Sequence, residues 1–364
     1  MDKVIFNTDG SGYWSAGGKY FFDKKECLKH ATKTKDLNVK FHWFDSAFET
    51  LDWTKAPQQS LDQLYKTRAQ QIRDKYNYVV LAFSGGADST NVLDTFLENN
   101  IKLDEIVCYY PVEVIEKLMP TFNINDKGKD KCIFEYTMAC EPKLRQVAQY
   151  HPNIKITILD FARDSQQLVS SSHAHDMNMA GMSISPILAG HVAVTKRLRE
   201  LTEQGLNAGC IFAVDKPRLL YHKERKQFAS YFSDFSTIYC KNNIDGYVPA
   251  IEPFYWSPEL PELFRAQCWA VKHAIEPFTL SYPRPDWCER LYDIKYKYTD
   301  ILNVHTDFVK RIIYKNFDPG LWQTEKTTSL FYHDNCAWFW SDLVDKRTKE
   351  FYDGQLKEWV ADVD

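Results

Sequence analysis

The chain lacks the features that mark membrane, secreted and fibrous proteins. No apolar run approaches the roughly 20 residues needed to cross a bilayer. The opening Met-Asp-Lys-Val-Ile-Phe-Asn has no signal-peptide pattern, so a cytoplasmic location is expected. Nine cysteines are scattered through 364 residues, and no two have Cys-x-x-Cys spacing. That excludes a redox or zinc motif of this type and fits buried thiols in a reducing compartment. There is no internal repeat and no low-complexity tract. Excess charge is also small, at −4, which argues against broad nonspecific nucleic-acid binding but leaves room for a local basic face. Aromatic residues are abundant instead, with 23 Phe, 21 Tyr and 10 Trp, many in the second half. They predict aromatic packing between helices there.

The length suits two domains, or one large domain with an appendage. Residues 1–70 read as a small α+β segment. It has short strands at 4–6, 20–22 and 39–43, a helix over 24–32, and Ser60 as N-cap of a helix reaching about Tyr76. Residues 71–250 alternate strands at 78–83, 104–110, 154–160 and 208–214 with helices at 89–98, 133–150 and 186–203. That order predicts a parallel, doubly wound, Rossmann-like α/β sheet with right-handed crossovers. Residues 251–364 read as a helical domain, with helices at 260–275, 286–316 and after 335.

In open α/β sheets ligands sit beyond the carboxyl ends of strands. The first such end carries Ser84-Gly85-Gly86-Ala87-Asp88-Ser89, directly after the apolar run Tyr78–Phe83. Glycines at 85 and 86 permit positive φ and leave room for an oxyanion. Ser84 and Ser89 supply hydroxyls, and Asp88 is suited to hold Mg²⁺ between phosphates. The following helix aims its unpaired N–H groups and dipole at the same place. The Gly-Lys-Ser/Thr ending of a Walker A loop is missing.

The hexapeptide resembles the PP-loop, Ser-Gly-Gly-X-Asp-Ser, of the ATP pyrophosphatase family. All six positions match, in the strand–loop–helix setting that the family requires. The resemblance covers about residues 77–220 and implies an adenine nucleotide alpha-hydrolase-like fold that binds ATP and Mg²⁺. It implies nucleotide binding by Ser84, Gly85, Gly86, Asp88, Ser89 and the adjoining Thr90, with Asp88 as a metal ligand. The residues do not select a subfamily. Asp2 rather than Cys follows Met1, so a glutaminase nucleophile of the asparagine synthetase kind is not expected. No cysteine cluster matches the zinc site of 7-cyano-7-deazaguanine synthase.

A second strand end carries Ala213-Val214-Asp215-Lys216-Pro217-Arg218. Asp215 is a candidate second Mg²⁺ ligand, and Lys216 and Arg218 are candidates to neutralise departing pyrophosphate. This segment departs from the Gly-Asp-Gly-Ala-Asp-Glu pattern of asparagine synthetase; a solvated turn is the other reading. The run His173-Ala174-His175-Asp176 has metal-ligand residue types but no recognisable third ligand nearby. Tyr221–Lys226 reads either as an anion-binding stretch or as a solvated hairpin, and Phe254-Tyr255-Trp256 either as cover for an adenine or as core packing.

Together these features predict an ATP-dependent ligase. ATP is split to AMP and pyrophosphate, an acceptor carboxylate or carbonyl oxygen is adenylated, and a nitrogen nucleophile displaces AMP. Its partners would be ATP and a small-molecule or nucleotide acceptor, with no membrane. Two alternatives stand beside it: sulfur transfer to a tRNA or nucleotide through a thiol such as Cys108 or Cys210, and an ATP-binding module without turnover.

Overall fold

The computed structural model describes residues 13–21, 24–36, 38–42, 44–110, 112–121, 135–160, 186–214, 216–222, 227–231, 247, 249–275, 288–290, 301–304 and 306–317. Among them no helix is long and apolar enough to cross a membrane. The expected strand at 4–6, the run His173–Asp176, Asp215 and the helix after 335 lie outside the described residues.

The N-terminal segment is a three-stranded antiparallel sheet with one helix. Strands β1 (Tyr13–Ala16) and β2 (Lys19–Phe21) form a hairpin, and β3 (Lys40–His42) pairs with the other edge of β1. Gly17 and Gly18, at φ 57° and 72°, make the tight turn that matches strand twist. Trp14 and Ala16 pack on Cys27 and Ala31 of α1 (Lys24–Thr34). Strand alternation therefore turns Tyr13 and Ser15 to the opposite face. A short helix, α2 (Asp45–Phe48), follows. Strand β1 is not among the strands expected at 4–6, 20–22 and 39–43.

Helix α3 (Leu61–Lys75) starts at the expected Ser60. Ser60 Oγ accepts from the Gln63 N–H, and the Gln63 side chain accepts from the Ser60 N–H, so two orphan donors at the helix start are satisfied. The elements then run β4 (Tyr78–Ala82), α4 (Ala87–Glu98), β5 (Glu105–Tyr110), α5 (Val112–Leu118), α6 (Glu141–Tyr150), β6 (Lys155–Asp160), α7 (Pro186–Glu203) and β7 (Ala208–Phe212). A π-helical turn, Glu135–Cys140, leads into α6. After β8 (Arg218–His222) and β9 (Gln227–Tyr231), strand β10 (Ile251–Pro253) returns to the main sheet.

That sheet is parallel throughout, in the order β10-β7-β4-β5-β6. Its central strands are buried on both faces, which explains their unbroken apolar runs. Val79 and Leu81 face α3 and α4 through Leu64, Ile72, Val92 and Phe96. Val80 and Ala82 face Val194, Leu198 and Leu201 of α7. Helices thus cover both faces, as expected of a doubly wound fold. The strand order reverses between β4 and β7, and the loops after these two strands meet there.

Helix α8 (Pro261–Ile275) packs its buried face on α3. The helix expected over 286–316 does not form as one element. Strands β11 (Cys288–Arg290) and β12 (Ile301–Val304) and helix α9 (Thr306–Ile313) occupy the described parts of that range. Strand β12 pairs with β8, giving a second, antiparallel sheet in the order β11-β12-β8-β9. This long-range pairing sets the conformation of 301–304 and has no local signature in the sequence. Tyr221 and His222, from the stretch read either as anion-binding or as a hairpin, are paired in β8 with Phe228 and Gln227 of β9, and residues 223–226 lie outside the described residues.

Candidate functional site

The loop at 84–89 is shaped by what it packs against. Gly85 has φ 76°, in the left-handed region. A Cβ there would lie 2.5 Å from Cys140 Cβ and 2.7 Å from Cys140 Cα, so only glycine fits over the π-helical turn. Gly86 caps α4 without a side chain, and its N–H donates to Ser84 Oγ at 3.2 Å. Ser89 Oγ donates to the Gly86 carbonyl at 3.1 Å and lies 3.3 Å from Ser84 Oγ. The Tyr110 hydroxyl donates to the Ser84 carbonyl from the end of the neighbouring β5. Both serines and both glycines therefore converge at the start of α4, where unpaired N–H groups gather. That helix begins at Ala87, two residues before the expected Ser89.

Asp88, in the first turn of α4, is the focus of the site. Its Oδ2 accepts from Lys216 Nζ at 2.9 Å, and its Oδ1 accepts from the Tyr314 hydroxyl at 2.7 Å. Lys310 Nζ stands 3.8 Å from Oδ1. The Tyr255 hydroxyl donates to the Asp88 carbonyl at 2.6 Å. Burial pushes the Asp88 pKa up, but Lys216, Lys310 and the Tyr314 hydroxyl outweigh it and hold the carboxyl below its ordinary value. Two ammonium groups, those of Lys216 and Lys310, thus face the one carboxylate of Asp88. Burial, then the Asp88 charge, push the Tyr314 and Tyr255 hydroxyls well above their usual range, so both remain donors.

The structure brings together Ser84, Gly85, Gly86, Asp88, Ser89 and Lys216. Arg218 opens β8 with its side chain exposed. Thr90 turns elsewhere: it lines a cavity of about 210 Å³ along α4, together with Tyr65, Asn91, Asp94 and Phe317. None of Ser84, Gly85, Gly86 or Asp88 lines that cavity. Thr90 Oγ1 is buried there without a hydrogen-bond partner. Phe254, Tyr255 and Trp256 are buried, so the core-packing reading holds for them. Tyr65 stacks on Phe254, with ring centroids 5.7 Å apart, beneath the Tyr255–Asp88 contact.

Lys310 and Tyr314 were missed from sequence, and Tyr255 was named only as adenine cover or core packing, not as a partner of Asp88. Tyr314 stands 226 residues from Asp88, and Tyr255 stands 167 away. No spacing rule reaches that far; the signal lies in tertiary packing alone. Among the described residues no group of three or more His, Cys, Asp or Glu gathers as a metal centre. Asp88 is the one expected metal ligand among them. No protein-family model, no curated protein and no solved structure matches this chain.

Proposed function

We propose that the chain is an ATP pyrophosphatase of the synthetase type, resembling the PP-loop family, with its phosphate site at Ser84–Ser89. One observation carries the reading. A side-chain-poor loop joins the central strand to a helix, and Lys216, from the loop across the switch point, meets its aspartate at 2.9 Å. A polyphosphate needs close backbone approach, N–H donors and cationic side chains. The loop, the start of α4 and the Lys216–Lys310 pair supply these in turn.

In this reading the N–H groups at the start of α4 and the hydroxyls of Ser84 and Ser89 hold the β- and γ-phosphates. Lys216 and Lys310 turn from Asp88 toward the phosphate oxygens and neutralise charge that grows on the departing pyrophosphate. Freed from the lysines, Asp88 is available as a carboxylate ligand for Mg²⁺, and one carboxylate with phosphate oxygens and water suits that ion. Mg²⁺ would supply further charge neutralisation between phosphates. The acceptor's carboxylate or carbonyl oxygen attacks the α-phosphorus, pyrophosphate leaves, and a nitrogen nucleophile then displaces AMP from the acceptor. The protein's contribution is positioning and electrostatics.

The sulfur-transfer alternative fits less well. Cys108 and Cys210 are fully buried in β5 and β7. Burial pushes both thiols up, which suppresses the nucleophilic thiolate. The test is pyrophosphate release from ATP with Mg²⁺ and a pooled metabolite and nucleotide extract. Release that requires the extract and disappears in Asp88→Ala supports the reading. ATP binding without release across varied acceptors would assign the chain to the binding-module class.

A further inference from the structure

The face of the N-terminal sheet opposite α1 holds a second set of chemically organised groups. Ser15 Oγ lies 2.8 Å from His42 Nε2, and His42 Nδ1 lies 2.6 Å from Asp45 Oδ2. The three come from separate elements: β1, β3 and the first residue of α2. A carboxylate only accepts, so Nδ1 carries the ring proton and Nε2 is left to accept from the Ser15 hydroxyl. The Tyr13 ring stacks on the imidazole at 4.7 Å and 14°. Tyr20 meets Tyr13 edge-on at 5.6 Å. His42 is thus fixed at both nitrogens and on one face. Its side chain is still 21% exposed, so it is accessible from solvent.

A serine hydroxyl on one imidazole nitrogen and a carboxylate on the other is the arrangement that makes serine a nucleophile, whatever the fold. Strand register adds a cation. Lys40 stands directly opposite Ser15. Opposed residues share a face with Cβ atoms about 5 Å apart. Its ammonium can therefore reach an oxyanion that forms beside Ser15. Tyr13 and Tyr20 offer an aromatic wall to the acyl or leaving group.

We propose that Ser15, His42 and Asp45 form an acyl-transfer site that hydrolyses small carboxylic esters, independently of the ATP site. Ser15 Oγ bonds to the ester carbonyl carbon while its proton passes to His42 Nε2, and the oxyanion is met by Lys40. The tetrahedral species collapses, the C–O bond to the alcohol breaks, and His42 returns the proton to the leaving alkoxide. Water then attacks the acyl-serine with His42 as base, releasing the carboxylic acid and free Ser15. Asp45 is a positioning residue that holds the ring and its tautomer.

The test is a fluorophosphonate probe applied to the full chain, with the adduct located by peptide mass mapping and hydrolysis of p-nitrophenyl acetate measured in parallel. The serine oxygen displaces fluoride from phosphorus, and the serine proton passes to His42. The expected result is one adduct at Ser15, absent in Ser15→Ala. Labelling should slow by about 10²–10⁴ in His42→Gln, the usual range for loss of a general base. Asp45→Asn should slow it too, with partial rescue in Asp45→Glu and unchanged melting of both variants. A wild-type protein that takes up no probe at Ser15, or that labels equally fast in His42→Gln, overturns the proposal. The wild-type adduct decides the matter even if a variant does not fold.

Discussion

Replacing Lys216 with alanine is expected to stop ATP turnover while leaving the protein folded. The ion pair to Asp88 is 2.9 Å long, with side chains 16% and 31% exposed. Solvent screening at that exposure limits its contribution to stability to about 1 kcal/mol or less. Asp88 also keeps the Tyr314 hydroxyl at 2.7 Å and Lys310 at 3.8 Å, so no buried charge is stranded. A loss of that size lowers the melting temperature by about 2–4 °C in a domain of ~200 residues. Turnover should respond differently. A charged contact made to the group that gains charge in the transition state is worth about 10²–10³ in rate, or about 2.7–4 kcal/mol. The assay is the initial rate of pyrophosphate release at saturating ATP and Mg²⁺, beside a thermal melt of the same samples. Lys216→Arg should recover part of the rate, since it keeps the charge and changes its geometry. If Lys216→Ala turns over within a fewfold of the wild type, Lys216 is a structural counter-ion of Asp88 and nothing more.

Three further outcomes follow from the same geometry. Gly85→Ala places a methyl 2.5 Å from Cys140 Cβ at φ 76°, and overpacking with left-handed strain should cost about 2–5 kcal/mol in denaturant unfolding. Turnover should fall with it, because the loop must move off the turn before α6. Arg68→Met removes a buried guanidinium that donates to Glu252 Oε2 at 2.7 Å and to the Pro253 carbonyl at 2.9 Å, binding α3 to β10. Glu252 keeps Lys75 at 2.7 Å and the Tyr76 hydroxyl at 2.6 Å, so the cost is that of the lost charged hydrogen bonds, about 1.5–3 kcal/mol, and Arg68→Met with Glu252→Gln should recover part of it. Glu105 is fully buried; burial pushes its pKa up, but Arg197, Thr157 and Tyr78 outweigh it and hold it below the ordinary carboxylate value. Its contribution is therefore complete above about pH 4.3, the unperturbed glutamate value, and is lost as pH falls through the lower folded value. Glu105→Gln should flatten the acid limb of the stability curve over that window.

The α/β core was legible because its signals are local. Runs such as Tyr78–Phe83 and Ala208–Val214 sit at strand length between amphipathic helices, and Ser60 with Gln63 marks a helix start by spacing alone. The loop was legible for the same reason, since six consecutive residues carry its chemistry. Lys216 was legible only through topology, as a cation at a strand end expected to face that loop. Other features depend on contacts that sequence spacing does not report. Tyr314 and Lys310 reach Asp88 from α9 and the turn after it, a region read as one long helix, because β12 pairs with β8 across about eighty residues. Ser15 and His42 escaped notice because only the pairing of β1 with β3, 27 residues apart, brings them together; Asp45 then follows three residues after His42.

The central claim is that the loop at 84–89 directs cleavage between the α- and β-phosphates of ATP. The most direct measurement uses ATP labelled at the α- and γ-phosphates, with Mg²⁺ and the pooled extract, and resolves the labelled products. AMP and pyrophosphate in equal amounts, lost in Asp88→Ala, are the predicted result. ADP and inorganic phosphate would contradict the account, because attack would then fall on the γ-phosphate.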